Sequence, residues 1–332
     1  EQGQDVIGIH FITGFETALS RTQHPQADNR LKILDIGEQL GIPVEIVDIR
    51  AEFQQKIVDY FTLSYKSGQT PNPCMRCNPT IKFGKILSYA LSLGAQKLAT
   101  GHYARIKKDP SSNFHLFKGL DNQKDQSYFL ARLTQRQLEN AFFPLGEMKK
   151  SDVKQMAAQR GLRPVTHDES QDVCFIKHTS YGEFLSAQKG FEPKPGFIEN
   201  VKGQVIGEHN GLHLFTIGQR RGINCPAAEP YYVIRLDTER NRLTVGAKKD
   251  LLSSECKVVE INWIGKKPTT PMDVNTRVRY RSKEAASRVF PQSESTAIVH
   301  FNNPQTAVTP GQGAVFYRGD EILGGGWISP LS

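Results

Sequence analysis

The sequence has few cysteines and no long apolar stretch. Five cysteines occur in 332 residues, and this small, odd number does not fit the disulfide framework of a secreted protein. No apolar run approaches the roughly 18 residues of a membrane-spanning helix. The first residues, EQGQDVIGIHF, lack the basic start and apolar core of a signal peptide. We therefore expect a cytoplasmic protein without a membrane segment, in which closely spaced thiols are catalytic or metal-binding.

The sequence carries a surplus of positive charge. Its formal net charge is +8, and such a surplus favours nucleic acid as a partner. Up to residue 177 there are 23 Lys and Arg against 19 Asp and Glu, and beyond it 19 against 15. Since both parts carry the same surplus, charge alone does not indicate where a polyanion would bind.

The first 177 residues have the pattern of an α/β domain. Three short runs rich in β-branched residues are predicted strands, and amphipathic segments between and after them are predicted helices. The strands are 5–11, 43–49 and 97–102, and the helices begin near residues 27, 52, 79 and 151, with Asn78 and Ser151 as predicted N-caps. Alternating strands and helices predict a parallel sheet that binds its ligand at the carboxyl ends of the strands.

The rest of the chain has the pattern of β-rich domains. After about Tyr181, glycine and proline recur every few residues among short β-prone runs such as GLHLFTIG, YYVIRLD and STAIVHF. This spacing is typical of small β domains or barrels. We predict a central β-rich domain at 178–246 and a C-terminal β-barrel at 247–332. Cys225 and Cys256 lie in these domains outside any motif, and we interpret them as structural.

The segment TPNPCMRCNPTIKF places Cys74 and Cys77 three positions apart. Cys77 would lie just ahead of a helix that starts at Asn78, where the helix dipole and the charges of Arg76 and Lys82 favour a thiolate. A buried structural cysteine is the alternative. A four-ligand zinc site would need a second pair of ligands, which the sequence does not show. A thioredoxin-type pair would follow a strand directly and not a proline-rich loop.

A second marked cysteine lies in the segment HDESQDVCFI. Asp168, Glu169 and Asp172 closely precede Cys174. Acidic neighbours raise the pKa of a thiol, which argues against a resting nucleophile and fits a thiol that receives sulfur from a donor. Taken by itself, Cys174 would more simply be a cysteine of the protein core.

Six segments, in this order, resemble the tRNA-specific 2-thiouridylase family. They are TPNPCMRCNPTIKF, ATGHYAR, KDQSYFL, ESQDVCFI, GEHNGLHLFTIGQRRGI and RYRS. SQDVCFI and LFTIGQRRG are long and specific, whereas a lone TGH would carry little weight. The resemblance runs from about residue 5 to the end of the chain.

The resemblance implies a two-step reaction on the wobble uridine of the tRNAs for Lys, Glu and Gln. ATP with Mg²⁺ would adenylate the oxygen at C2 of the base, and sulfur carried as a cysteine persulfide would then replace it as AMP leaves. The family's fold implies an ATP-pyrophosphatase-type catalytic domain, similar to adenine nucleotide hydrolases, at 1–177, followed by two β domains that bind tRNA. It also implies a monomer and a persulfide sulfur donor such as a cysteine desulfurase or a sulfur-relay protein.

The family's functional positions carry over one residue at a time. By the resemblance, Cys174 carries the persulfide, and Cys77 is the partner thiol that attacks it or forms a disulfide with it. The positions implied to contact substrates are Asn72, Pro73 and Cys74 for the target base, Phe11 and Gly101 for ATP, and His102, Lys124, Asp125, Gln126, Tyr280, Arg281 and Gln312 for tRNA. Without the resemblance, His102 would equally be a satisfied loop histidine and KDQ an exposed polar turn.

The sequence departs from the family pattern in two places. The pyrophosphate-binding signature Ser-Gly-Gly-x-Asp-Ser belongs upstream of Asp5, and we interpret its absence as an incomplete chain. A non-catalytic tRNA-binding protein is the rival interpretation, and the upstream coding sequence would separate the two. Cys74 replaces an Asp present in many members, so Cys74, Cys77 and Cys174 could instead ligate a [4Fe–4S] cluster that delivers sulfide. Another ATP-using enzyme of this fold, such as an amidotransferase-like ligase, is disfavoured because it needs no cysteine at Cys174.

Overall fold

The structure is a computed structural model that describes residues 3–15, 25–162, 173–177, 179–226 and 229–330. Its first part alternates strands and helices. These are β1 (Gly8–Ile12), α1 (Pro25–Leu40), β2 (Val44–Asp48), α2 (Arg50–Phe53), α3 (Asp59–Lys66), α4 (Pro73–Cys77), α5 (Leu87–Ser92), β3 (Leu98–Ala99), β4 (Ala104–Lys108), β5 (Phe114–Lys118), α6 (Gln135–Glu139), β6 (Ala141–Phe142), α7 (Lys150–Gln159) and α8 (Tyr181–Ser186). A π-helical segment, Gln54–Val58, joins α2 to α3, and a second, Asn78–Ile86, joins α4 to α5.

The strands of this part pair in parallel, which confirms the predicted α/β class. β1 lies beside β2 with Gly8 opposite Val44, and β3 lies beside β6 with Leu98 opposite Ala141. The third predicted strand is shorter than expected. After Ala99 the chain makes one further bond to the neighbouring strand, from the Thr100 amide to the Phe142 carbonyl, and then turns away. The segment after β3 is therefore a loop at the carboxyl end of its strand.

The helix that carries the CxxC motif begins six residues earlier than predicted. Asn72 is its N-cap, because its Oδ1 accepts a hydrogen bond from the Met75 amide at 3.1 Å. Asn78 and Pro79, predicted to start the helix, lie inside it. A proline inside a helix removes one backbone donor, and here the helix widens into its π-helical segment at that point. The prediction of Asn78 as the N-cap is therefore wrong.

Helix α7 also begins differently from the prediction. Lys149, and not Ser151, precedes the first helical residue, and the Lys149 side chain makes no capping bond. Instead, the carboxylate of Asp121 accepts a hydrogen bond from the Lys150 amide at 3.0 Å. An acceptor from a distant loop thus replaces the local cap that the sequence predicts.

The remaining part consists of two β structures. Their strands are β7 (Gly196–Asn200), β8 (Val205–His209), β9 (Tyr232–Asp237), β10 (Arg242–Gly246), β11 (Leu252–Trp263), β12 (Met272–Arg277), β13 (Ala285–Pro291), β14 (Ala297–Thr306), β15 (Gly313–Arg318) and β16 (Glu321–Ser329). The central sheet has the order β8-β7-β10-β9. The order β11-β14-β13-β12-β15-β16 closes into a barrel through a β11–β16 pairing, which confirms the predicted C-terminal barrel. The hairpin β4–β5 of the first part extends the barrel sheet beside β16.

The parts of the chain share hydrophobic cores. One core joins Leu116 of the β4–β5 hairpin and Tyr128 to Val315 and Trp327 of the barrel. A second core contains Phe53, and residues beyond 178, among them Phe184, pack into it. The boundaries at 177 and 246 stay predictions. No helix in the described segments combines the length and apolar character needed to cross a membrane.

Candidate active site

The start of the cysteine helix displays two thiols. Cys74 is exposed and Cys77 is partly exposed, whereas Met75 between them is fully buried. Part of Cys74 is exposed to solvent, but many protein atoms surround its thiol. The resulting loss of hydration raises the pKa of the Cys74 thiol to about 11. Burial raises the pKa of Cys77 to about 12, and Lys82 opposes this rise. In this form of the protein, burial therefore opposes the activated thiolate that the sequence predicts at Cys77.

Cys174 lies close to both thiols of the cysteine helix. Charge on Cys174 would raise the pKa values of Cys74 and Cys77, so the three sulfur atoms act on one another. The next residue, Phe175, anchors this segment, because its ring packs against Phe61 at 5.3 Å and against Phe53 at 5.8 Å between ring centroids. The exposed Cys174 thiol therefore lies beside the CxxC motif, next to a residue that is packed in the core. Cys174 and Cys77 are 97 positions apart in sequence (174 − 77).

Lys82 and His102 form the polar side of this site. Because Lys82 lies five residues after Cys77, the wider turn of the π-helical segment brings the two onto one face of the helix. The Lys82 Nζ lies 3.5 Å from His102 Nε2, and Thr100 Oγ1 lies 2.7 Å from His102 Nδ1. An ammonium can only donate, so Nε2 accepts and Nδ1 carries the proton donated to Thr100. Burial, with Lys82, lowers the pKa of His102 to about 3, so this histidine is neutral.

The predicted base loop is held by the barrel. The Gln312 side-chain amide donates to the carbonyls of Thr70 and Pro71 at 3.0 and 3.1 Å. Asn72 is buried and is occupied as the helix cap, and Pro73 is also buried. Of the three predicted base-contact residues, Cys74 alone is exposed in this form.

The two segments predicted to contact tRNA adjoin each other. The Tyr280 hydroxyl donates to the Asp125 carbonyl at 3.1 Å, and charge on Lys124 and Arg281 lowers the pKa of Tyr280 against the larger effect of burial. Gln126 reaches toward the catalytic side, because its Oε1 accepts from the Tyr103 amide at 3.1 Å. Lys124 is partly exposed and Arg281 exposed.

Asp125 is hydrogen-bonded inside the protein and does not face solvent. Its carboxylate is buried and accepts hydrogen bonds from the Gly119 amide at 3.2 Å and from the amide and hydroxyl of Ser127 at 3.1 and 3.0 Å. Arg277 of the barrel lies 3.6 Å away. In this form the hydrogen bonds of Asp125 therefore fix the backbone of the KDQ segment. The charges accessible to tRNA are those of Lys124 and Arg281.

The two residues predicted to contact ATP lie at strand ends. Phe11 is the penultimate residue of β1 and packs on the edge of the aromatic core that contains Phe53. Gly101 follows β3 in the loop and is exposed, and a side chain added there would meet only Leu145, at 3.8 Å. Both positions lie where a parallel sheet presents its ligand site.

Comparisons with known proteins cover nearly the whole chain. Three family models match, described as a tRNA methyl transferase HUP domain at residues 1–178, a tRNA methyl transferase PRC-barrel domain at 183–247 and an aminomethyltransferase beta-barrel domain at 253–328. A tRNA-specific 2-thiouridylase MnmA of Desulfosudis oleivorans is 50% identical over 328 residues, which cover 99% of this chain and 89% of that protein. This chain belongs to the tRNA-specific 2-thiouridylase family. Proteins of the same name from Geotalea uraniireducens and Synechocystis are 41% and 46% identical, over 99% and 89% of this chain and 89% and 83% of their own lengths.

This member of the 2-thiouridylase family shows no built metal centre in the part of the chain that the structure describes. No group of three or more His, Cys, Asp or Glu side chains there is arranged to hold a metal ion. Cys74, Cys77 and Cys174 adjoin one another, but they do not form such a group. The described geometry therefore does not fit a preformed iron–sulfur site.

Sequence reasoning missed three residues that shape the site of this family member. Thr70 joins the base loop to the barrel, Thr100 fixes the tautomer of His102, and the Tyr128 hydroxyl donates to Gly313 of the barrel at 3.0 Å. All three lie in or beside motifs that carry the resemblance. Their partners are set by the packing of distant segments, for which a single sequence gives no signal.

The raised pKa of Cys77 predicts a distinct alkylation profile. In the tRNA-free protein, the rate of Cys77 alkylation by iodoacetamide should rise about tenfold per pH unit from pH 7 to 10 without a plateau, because only the thiolate reacts. Lys82→Met should slow alkylation at every pH, since Lys82 lowers the Cys77 pKa. Mass spectrometry after trypsin can follow Cys77 separately from Cys74, since trypsin cuts after Arg76.

Lys85→Met is the matched control for this experiment. Lys85 lies on the same helix but is paired with Glu52 at 2.5 Å, so its loss should leave the profile unchanged. A plateau below about pH 8 in the unmodified protein would contradict the raised pKa and support the activated thiolate that the sequence alone predicts.

Proposed function

We propose that this chain is a tRNA 2-thiouridylase that replaces the C2 oxygen of a wobble uridine with sulfur in the tRNAs for Lys, Glu and Gln. The observation that carries the proposal is the meeting of Cys77 and Cys174, distant in sequence, in one accessible site beside Lys82 and the base loop. The names of the 2-thiouridylase relatives support it. The words methyl transferase in the family-model descriptions do not explain two adjoining thiols.

The proposed chemistry has two steps. The C2 oxygen of the uridine attacks the α-phosphate of ATP, pyrophosphate leaves, and the base carries an adenylate. The terminal sulfur of a persulfide on Cys174 then attacks C2, and AMP leaves with the C2–O bond electrons. The Cys77 thiolate attacks the Cys174 sulfur, so a disulfide forms and the sulfur–sulfur bonding pair stays with the product as the thiocarbonyl. A dithiol reductant restores both thiols.

The surrounding residues have defined parts in this scheme. The Lys82 ammonium favours the thiolate of Cys77 when the bound tRNA closes the site, and neutral His102 accepts its hydrogen bond. Phe11 and Gly101 would line the adenine nucleotide site at the strand ends. Mg²⁺ would accompany the ATP phosphates. Asp48 at the end of β2 is already paired with Arg50 at 2.6 Å, so we assign the ion no protein ligand.

The experiment is a reconstituted thiolation assay. The full-length protein is incubated with unmodified tRNA, ATP, Mg²⁺ and a persulfide donor such as a cysteine desulfurase with cysteine. Digested tRNA should contain 2-thiouridine, with one AMP formed for each sulfur transferred. Formation of a methylated uridine from S-adenosylmethionine, or absence of the thiolated base with an active donor, would overturn the proposal.

Binding to tRNA is expected to be electrostatic. Contacts from Lys124, Arg281 and their neighbours should go mainly to phosphates, so affinity should fall steeply as salt rises. Arg281→Ala should weaken tRNA binding severalfold and reduce the slope of log affinity against log salt by about one. ATP affinity should stay unchanged. Filter binding of tRNA across a salt series measures the tRNA affinity and the slope, and binding of labelled ATP measures the ATP affinity.

Arg288→Ala is the control for Arg281→Ala. Its guanidinium also lies on the barrel surface but is paired with Asp273 at 3.7 Å, so its loss should change neither affinity nor slope. Binding that does not depend on salt would contradict an electrostatic footprint on tRNA.

A further inference from the structure

A turn of the barrel holds the loop that leads into the cysteine helix. The turn, residues 309–312, precedes β15. The Thr70 amide donates to the Pro310 carbonyl at 2.9 Å, and the Gln312 side chain donates back to Thr70 and Pro71 at 3.0 and 3.1 Å. The loop therefore both donates a hydrogen bond to the turn and accepts hydrogen bonds from it.

Both donors of the Gln312 side-chain amide are used in these bonds. A primary amide has two N–H donors, and both are directed at the two consecutive carbonyls of Thr70 and Pro71. The backbone of Gln312 is also fixed, because its carbonyl accepts from the Ile328 amide at 2.8 Å and its amide donates to Thr309 at 3.1 Å. The donors of this side chain are therefore committed before any tRNA binds.

The held loop sets where the cysteine helix begins. Pro71 is followed at once by Asn72, whose side chain caps the helix at the Met75 amide. Met75 in turn packs against the barrel turn, since a side chain at Gly313 would overlap the Met75 sulfur and the Tyr128 hydroxyl. The turn, the loop and the first turn of the helix are therefore one packed unit.

The central sheet domain reaches the same point. Thr216 Oγ1 lies 3.4 Å from Thr70 Oγ1. Gly218 packs so closely on Ala307, which precedes the barrel turn, that a side chain at position 218 would clash with it. Three parts of the chain therefore meet at Thr70.

We propose that Gln312 is a positioning residue for the reaction, which fixes the loop 70–72 and through it the cysteine helix relative to tRNA bound on the barrel. This inference rests on the proposed function and assigns the two donors of the Gln312 amide to the loop and not to tRNA. A loop tied to the tRNA-binding barrel places Cys77 in register with the target base. Misplacement by about 1 Å can cost on the order of a hundredfold in rate.

The test is Gln312→Met, which keeps the length of the side chain and removes both donors. The single-turnover rate of thiolation at saturating tRNA should fall about ten- to a hundredfold, whereas tRNA affinity should stay nearly unchanged. In the tRNA-free protein, amide hydrogen exchange should quicken in the peptide covering 69–78 but not in the barrel peptide covering 314–329. Gln312→Leu, which also removes both donors and adds no charge, should behave alike and serves if the methionine variant folds poorly.

Arg281→Ala is the contrasting variant, with weaker tRNA binding and unchanged exchange at 69–78. The proposal is overturned if Gln312→Met weakens tRNA binding at an unchanged single-turnover rate, or if exchange at 69–78 is unaffected. Hydrogen exchange does not depend on catalysis, so it tests the positioning even if the chain fails to thiolate tRNA.

Discussion

Cys174→Ser and Cys77→Ser are each expected to abolish 2-thiouridine formation while leaving tRNA affinity nearly unchanged. Serine cannot carry a persulfide, so loss of the Cys174 thiol removes the sulfur carrier. Loss of the Cys77 thiol removes the nucleophile that separates the sulfur from Cys174. Removing a nucleophile outright commonly costs a thousandfold or more in rate, on the order of what is expected here. Nucleoside analysis of tRNA after reaction with a persulfide donor measures the loss, and filter binding measures the affinity.

Cys225→Ser is the matched control, since this cysteine is partly exposed and lies outside every motif that carries the resemblance. It should thiolate tRNA at the normal rate. If either Cys77→Ser or Cys174→Ser kept near-normal thiolation with its physiological donor, that residue would lose its proposed part. Adenylation gives a further check, because both variants should still form pyrophosphate from ATP in the presence of tRNA.

The local patterns of the sequence predicted the elements well. β2 lies within one residue of its predicted run, β1 starts three residues later than predicted, and the β-prone spacing after Tyr181 indicated the two β structures. These features depend on the periodicity of neighbouring residues, which one sequence displays directly. The cysteine helix shows the limit. Both Asn72 and Asn78 precede a proline, and both are good N-caps, so local rules allow either start.

The site itself was predictable as a set of residues but not as an arrangement. The family resemblance identified Cys77, Cys174 and Gln312 together. They did not indicate that Gln312 is bonded to the loop ahead of the cysteines, 242 positions away (312 − 70), or that burial would raise the pKa of Cys77. The first depends on how the barrel packs on the catalytic part, and the second on how much water that packing excludes.

Cys74 separates two routes of sulfur transfer. If Cys74 only occupies the position of a base-contacting Asp, aerobically purified, iron-free protein should thiolate tRNA fully from a persulfide donor. Cys74→Asp should then be tolerated, since it restores the residue present in many family members. We expect this result, because the persulfide route needs only Cys77 and Cys174.

The cluster route predicts the opposite set of results. Anaerobically purified protein should be brown, absorb visible light and contain iron and sulfide, and Cys74→Ala should remove colour and activity together, because two thiolates seldom retain such a cluster. Cys74→Asp is less decisive there, since a carboxylate can replace one thiolate ligand. The deciding comparison is therefore between iron-free and reconstituted forms of the unmodified protein, assayed with the same tRNA and donor. Full activity without iron supports the persulfide on Cys174, whereas activity that arises only after cluster reconstitution would overturn it and make Cys74 a ligand.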